Sequence, residues 1–138
     1  MKELEREGFE VEASYGIGSF GTHQVGAAAR AYDERSGVFT RAAGFFDYAR
    51  NDYEVDVRIP GELGRLHPAT VRRFHDGYRA GGGIAEAGFI ERSRAKKLLL
   101  RVFATDFNKD LQHNMSVPYG AVRYGQSAVG DTLRYEQL

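Results

Sequence analysis

The chain has 138 residues, with 19 basic residues balanced by 19 acidic ones, and it contains no cysteine. This length allows one domain with a sizeable core. The balanced charge argues against nucleic acid as a partner, and the absence of cysteine excludes a disulfide framework and a thiolate metal site. The 17 glycines, 8 tyrosines and 9 phenylalanines favour long strands on a curved sheet over a helical bundle.

The N-terminal lead, residues 1–8, is mostly charged. It lacks the apolar central stretch of a secretory signal peptide, so the chain by itself shows no export route. The sequence also lacks a run of about 18 apolar residues that would form a transmembrane helix. Residues 9–138 are predicted to hold the strands and their connecting loops.

Segments such as Phe9–Tyr15 alternate between apolar and polar side chains, which is typical of strands. The stretch 51–76 lacks strong periodicity, and the alanines of 27–29 within the second predicted strand could also be helical. The glycines of 16–21 are interpreted as a bend rather than a nucleotide site, because no phosphate-loop lysine follows them. The pattern predicts an all-β fold, an antiparallel up-and-down meander of about six long strands. The predicted strands begin at Phe9, Thr22, Val38, Tyr78 and Leu98, with a last one within Pro118–Leu138.

Short and long connections alternate along this meander. Polar turns are predicted at 33–37, where Gly37 suits a positive φ, and at 92–97. Long loops are predicted at 51–76 and 108–117. The stretch Val55–Ile59 alternates well within the first loop, and it is predicted to extend a strand or to form a local hairpin above the sheet.

Several segments resemble, in a consistent order, the barrel of TonB-dependent outer-membrane receptors. Tyr15-Gly16 and Ser19-Phe20-Gly21-Thr22 resemble the YGSFGT segment that opens that barrel, with Ile17-Gly18 as an insertion. Further segments resemble the strand ends and loops that follow it. They are Phe45-Phe46-Asp47-Tyr48, Asn51-Asp52-Tyr53, Arg72 to Tyr78, Asp110 to Asn114 and Val117 to Gly120.

The resemblance implies that the chain is a fragment of a large transmembrane β-barrel, about its first six strands. Its parent would reside in the bacterial outer membrane and import a siderophore, a cofactor or a similar scarce ligand, driven by TonB. The implied partners are the remaining barrel strands, the plug domain and outer-membrane lipid. Alternating short turns and long loops agree with such a barrel, but unpaired sheet edges are not tolerated in hydrocarbon.

The alternative class is a small soluble antiparallel β-sheet module, lipocalin-like, that binds a ligand or another protein. The sequence lacks a nucleophile elbow, paired carboxylates at a readable spacing and a metal-ligand motif. We therefore predict neither an enzymatic activity nor a cofactor.

A basic and aromatic run in the first long loop is the candidate ligand contact. Arginine forks there would suit anionic groups such as a chelate carboxylate, and the alternative is an ordinary solvated loop. The candidates in the two loops are His67, Arg72, Arg73, Phe74, His75 and His113.

Charges inside the strand patterns form a second set. In a large barrel they would face the lumen and its plug, whereas in a soluble sheet they would face water. Pairing of arginine with Asp or Glu across neighbouring strands would favour a polar interior. This set contains Arg41, Asp47, Glu86, Arg101 and Asp106.

Aromatic residues near strand ends allow two interpretations, an aromatic girdle at a membrane interface or packing at the rim of a sheet. The residues concerned are Tyr48, Tyr53, Tyr78, Phe107, Tyr119 and Tyr124.

Overall fold

The computed structural model of the chain describes residues 8–92, 95–112 and 121–137. These residues are all-β, and they also contain two single 3-10 turns, at 19–21 and 62–64. The strands are β1 (Gly8–Gly18), β2 (Thr22–Asp33), β3 (Val38–Ala49), β4 (Glu54–Pro60), β5 (Leu66–Arg72), β6 (Tyr78–Arg92), β7 (Ala95–Gln112) and β8 (Ala121–Glu136).

Six of these strands form one antiparallel sheet in the order β1-β2-β3-β6-β7-β8, while β4 and β5 pair only with each other. Apart from that hairpin, each strand pairs with the next strand along the chain. The predicted all-β meander of six long strands is therefore confirmed.

The two predicted long loops differ from the structure in different ways. The stretch 51–76 contains the β4–β5 hairpin, as the alternation of Val55–Ile59 indicated. The loop prediction is wrong for 108–112, because β7 continues to Gln112 and these residues pair with Ala121–Gly125 of β8. The polar side chains of this stretch suggested a loop, but strand pairing satisfies their backbone groups. Residues 113–117, and all of the N-terminal lead except Gly8, lie outside the described residues.

The connections divide the sheet into two unlike ends. At the turn end, β2 and β3 are joined through Gly37, which has the predicted positive φ, 64°. The amide of Ser36 donates to Asp33 Oδ2 over 3.0 Å and closes this turn. At the opposite, loop end, the 3-10 turn at 19–21 joins β1 to β2, and the β4–β5 hairpin lies between β3 and β6.

The sheet is a single layer. Neither of its faces is covered by other described elements, whose contacts are almost all between paired strands. The buried apolar side chains of the described residues are Phe39, Ala49, Ala80 and Leu99. The chain exposes 10224 Å², whereas a compact monomer of this mass is expected to expose about 7,200 Å². The chain therefore forms an extended sheet instead of the sizeable core that its length would allow.

Candidate functional site

One face of the six-strand sheet is crossed by a row of charged residues. Residues directly paired on neighbouring strands project from the same side of a sheet, so the register defines the row. We call this side the charged face. Its central row, from β1 to β8, is Glu10, Arg30, Arg41, Glu86, Arg101 and Thr132.

Two arginine–glutamate pairs bridge neighbouring strands within this row. Arg30 Nε donates to Glu10 Oε2, and Arg101 Nε donates to Glu86 Oε1. The Glu86 side chain is only 5% exposed, so its ion pair lies in a crowded part of the face. The cross-strand pairing that would favour a polar interior is therefore present.

The predicted set of inward charges does not share one face. Asp47 lies on the charged face with Arg41, Glu86 and Arg101, but Asp106 lies on the opposite face. Its prediction is wrong because an odd separation from Arg101 along a strand reverses the side-chain direction. There Asp106 accepts hydrogen bonds from Ser127 Oγ over 2.6 Å and from Asn108 Nδ2 over 2.9 Å.

The opposite side of the sheet is apolar over most of its area, and we call it the apolar face. Its side chains are open to the surroundings, with Phe9 74% and Val129 84% exposed. Asp131 of β8 is the charged exception inside this area. The larger apolar members are Phe9, Val11, Tyr15, Ile17, Val25, Val38, Phe46, Tyr48, Phe89, Leu98, Leu100, Val102, Val129, Leu133 and Tyr135.

The apolar area is a band that runs obliquely across the strands. Its loop-end limit is Ile17 on β1, but it is Val129 on β8, which is level with Ala13 of β1. The limit thus moves about 13 Å along the strands over about 24 Å across the sheet. The turn-end limit is Phe9 on β1 and Tyr135 on β8. Tyr135 lies one row closer to the turn end than Leu133, the β8 residue level with Phe9, so this limit moves in the same direction as the loop-end limit. The displacement at the loop-end limit corresponds to strands tilted by about 30° to the band, and the displacement at the turn-end limit corresponds to about half that angle.

Burial shows which way the sheet curves. The buried residues of its strands, Phe39, Ala49, Ala80, Glu86 and Leu99, all lie on the charged face. Side chains crowd together on the concave side of a curved sheet and spread apart on the convex side. We infer that the charged face is concave and the apolar face convex.

Glycines on the charged face make room for aromatic rings from the paired strand. Phe39 lies over Gly88, and Phe103 lies over Gly130. A Cβ built on these glycines would approach Phe39 Cε1 within 2.8 Å and Phe103 Cζ within 2.6 Å. Rings covering cross-strand glycines stabilise curved sheets. A phenylalanine paired with a glycine is a signal that sequence reasoning missed, because it requires the register.

An ion cluster at the loop end uses the arginine of the predicted ligand run. Asp76, 8% exposed, lies 3.1 Å from Arg73 Nε and 2.7 Å from Lys109 Nζ. Arg73 Nη1 also donates to Tyr53 Oη over 3.0 Å, and its guanidinium lies 5.4 Å from the centre of that ring. The cluster ties the segment after β5 to β7, so Arg73 positions the loop.

The neighbouring candidates are also held by internal contacts. Arg72 Nη2 lies 3.6 Å from Glu54 Oε1, and His75 Nε2 lies 3.6 Å from Asp110 Oδ1. The Phe74 amide donates to Gln112 over 3.2 Å, which leaves its half-exposed ring at the surface. Ligand contact by this run stays a prediction, in which the exposed Arg72 and the half-exposed Phe74 are the side chains left most available.

His67 and His113 are not brought into this run by the described residues. His67 pairs with Ile59 near the tip of the hairpin, whereas Arg72 pairs with Glu54 at its base. The two positions are about 17 Å apart along β5. His113 lies outside the described residues.

The aromatic residues near strand ends separate between the two faces. Tyr78, Phe107 and Tyr124 pack in series on the charged face, with ring centres 6.0 and 5.4 Å apart. These three aromatic residues therefore pack against one another at the rim of the sheet. Tyr48 lies on the apolar face at its loop end, where the girdle interpretation is retained. Tyr53 packs on Phe20 at 5.1 Å, and Tyr119 lies outside the described residues.

Comparison with protein-family models, curated proteins and solved structures finds no match for this chain. The described residues contain no helix long and apolar enough to cross a membrane. Within the same residues, no three His, Asp or Glu side chains are grouped as a metal site would need. The structure therefore identifies the fold class: the chain is an all-β protein built on an antiparallel six-strand meander.

Proposed function

We propose that the chain is a strip of six consecutive strands from a transmembrane β-barrel, with the apolar face toward lipid and the charged face toward the barrel interior. The observation that carries this proposal is the distribution of side chains on the curved sheet. The convex face is apolar, and the concave face holds the Glu10–Arg30 and Glu86–Arg101 pairs. Barrels of the outer membrane have this inside-out arrangement.

The dimensions of the apolar band support the same proposal. On β3 the band runs from Val38 to Tyr48, about 34 Å along the strand. With the tilt of about 30° that the loop-end limit gives, the height of the band is about 29 Å, near the apolar height of about 25 Å of such barrels. Tyr48 at one limit and Phe89 and Tyr135 at the other would meet the two interfaces.

A soluble lipocalin-like module is the competing proposal, and the two faces argue against it. A soluble half-barrel would cover a ligand with an apolar concave side and present polar residues on its convex side. Here Phe9, Val11 and Val129 are exposed on the convex side instead. An uncovered apolar surface of this extent promotes association in water.

The parent protein that we propose is a TonB-dependent receptor that imports a siderophore, a cofactor or a similar scarce ligand. Support comes from the resemblance of residues 9–138 and from the unlike ends of the sheet. The connection through Gly37 at the turn end is short, while the loop end bears the β4–β5 hairpin. The hairpin would be part of the outer ligand surface, and the charged face would meet the plug.

The proposal predicts that the purified chain requires an apolar host. After dilution from denaturant into lipid vesicles or detergent, the chain is expected to gain β-structure and to remain dispersed. In plain buffer the open apolar face and the unpaired edges of β1 and β8 are expected to drive aggregation. Circular dichroism and analytical ultracentrifugation measure both properties. A monodisperse, cooperatively melting protein in plain buffer would contradict the proposal.

A further inference from the structure

An open cleft of about 310 Å³ lies at the loop end of the sheet. Three of its lining residues are arginines, and Tyr48, Phe74 and Tyr78 are among the others. The arginines are Arg50, Arg79 and Arg123.

The register places Arg79 and Arg123 on the apolar side of the sheet. Arg79 pairs directly with Tyr48, the last residue of β3 on the apolar face. Arg123 pairs with Asp110, one row further toward the loop end. Arg79 thus lies at the loop-end limit of the apolar band, whereas Arg123 lies three rows beyond Val129, the limit of the band on β8.

Gly77 keeps the centre of the cleft open. A Cβ built on Gly77 would lie 3.1 Å from Asp110 Oδ2, so any larger residue would narrow the space between the strands. The Gly77 carbonyl accepts a hydrogen bond from the Asp110 amide over 2.8 Å, which holds the floor of the cleft in sheet geometry.

The charges that face the cleft leave an excess of cations. Asp110 Oδ1 accepts a hydrogen bond from Arg123 Nε over 2.9 Å and lies 3.6 Å from His75 Nε2. Asp52 lies 3.9 Å from Arg50 Nη1, and the Arg50 side chain is 66% exposed. Arg79 is exposed and makes no ion pair with another described residue. Among the lining residues three guanidinium groups thus face one carboxylate, Asp110, while Asp106 lies one row from the cleft beside Asn108.

We propose that this cleft binds the phosphate headgroup of an anionic lipid whose acyl chains lie on the apolar face. The inference rests on the proposed membrane-facing role of that face. Guanidinium forks match phosphate oxygens in pairs. Cations beside an apolar band complement an anionic amphiphile, and each adds about 1 kcal/mol to binding at an anionic membrane surface. The cleft would fix the height and rotation of the strands in the bilayer.

The experiment measures partition of the full chain between buffer and vesicles. Vesicles of phosphatidylcholine alone are compared with vesicles that also contain phosphatidic acid. We expect the phosphatidic acid to raise the partition coefficient about tenfold or more. The double variant Arg79→Gln/Arg123→Gln is expected to lose this gain. The matched control is Arg58→Gln/Arg65→Gln, which removes the same charge from the exposed β4–β5 hairpin and is expected to keep it.

The outcomes separate this inference from the proposed function. Equal partition into both kinds of vesicle, or equal loss in both double variants, overturns the headgroup site and leaves the membrane-facing role standing. Inorganic phosphate at constant ionic strength is expected to compete with the headgroup and to reduce the gain, whereas a gain that phosphate leaves unchanged also overturns the headgroup site. A chain that stays monomeric in buffer and ignores all vesicles overturns the proposed function itself.

Discussion

Val102→Arg is expected to remove most of the chain from lipid vesicles. Val102 lies in the middle of the apolar band, level with Val11 and Ala85, and is 45% exposed. An arginine at the bilayer midplane costs a β-barrel about 2–4 kcal/mol, which lowers the partition coefficient roughly 30-fold or more. Flotation of the labelled chain with vesicles measures the change.

The matched control is Thr105→Arg on the same strand. Thr105 lies on the charged face, level with Ser14 and Phe45, so its arginine would point away from the proposed lipid side. We expect this variant to partition within about threefold of the parent chain, since surface substitutions usually change stability by less than about 0.5 kcal/mol. Equal losses in the two variants, or none in either, would contradict the assignment of the faces.

Gly88→Ala is expected to be the most disruptive small substitution in the sheet. A Cβ on Gly88 would overlap the carbonyl oxygen of Leu98 and lie 2.8 Å from Phe39 Cε1. Neither can yield easily, because Leu98 belongs to the paired strand β7 and Phe39 is 1% exposed. We expect a loss of about 3 kcal/mol, the upper part of the usual range for overpacking. Urea unfolding in detergent, followed by circular dichroism, measures it.

Gly81→Ala provides the control on the same strand. Its Cβ would meet the Phe45 oxygen and the Phe46 ring at 3.5 Å, which is ordinary contact distance, and it adds the same methyl group. We expect a change within about 1 kcal/mol. A Gly88→Ala variant as stable as Gly81→Ala would show that the packing of Phe39 over β6 is not as described.

The strands were predictable because their signal is local. Alternation in segments such as Phe9–Tyr15 and Val55–Ile59 reports which side chains share a face, without any knowledge of neighbours. Gly37 was predictable for the same reason, since its positive φ follows from the turn that contains it. The end of β7 was not, because Asn108–Gln112 becomes a strand through its pairing with β8.

The faces of the sheet follow from register, and register is a long-range property. The sequence marks Arg41, Glu86 and Arg101 as charges within strands, but only the pairing places them in one row. Asp106 was misplaced even though its odd distance from Arg101 contained the answer. The contacts of Arg73 with Tyr53 and Asp76 depend on loop geometry, which no local pattern reports. The sequence therefore identified Arg73 as a residue of the loop but not the contacts that it makes there.

The most direct test of the membrane-facing role is a cysteine scan along β7. The chain contains no cysteine, so single cysteines can carry an environment-sensitive fluorophore in vesicles that contain a lipid-linked quencher. We predict an alternation with period two, in which Leu98, Leu100, Val102 and Ala104 are quenched and Leu99, Arg101, Phe103 and Thr105 are not. Quenching of the charged-face positions, or equal signals at all eight, would contradict the account.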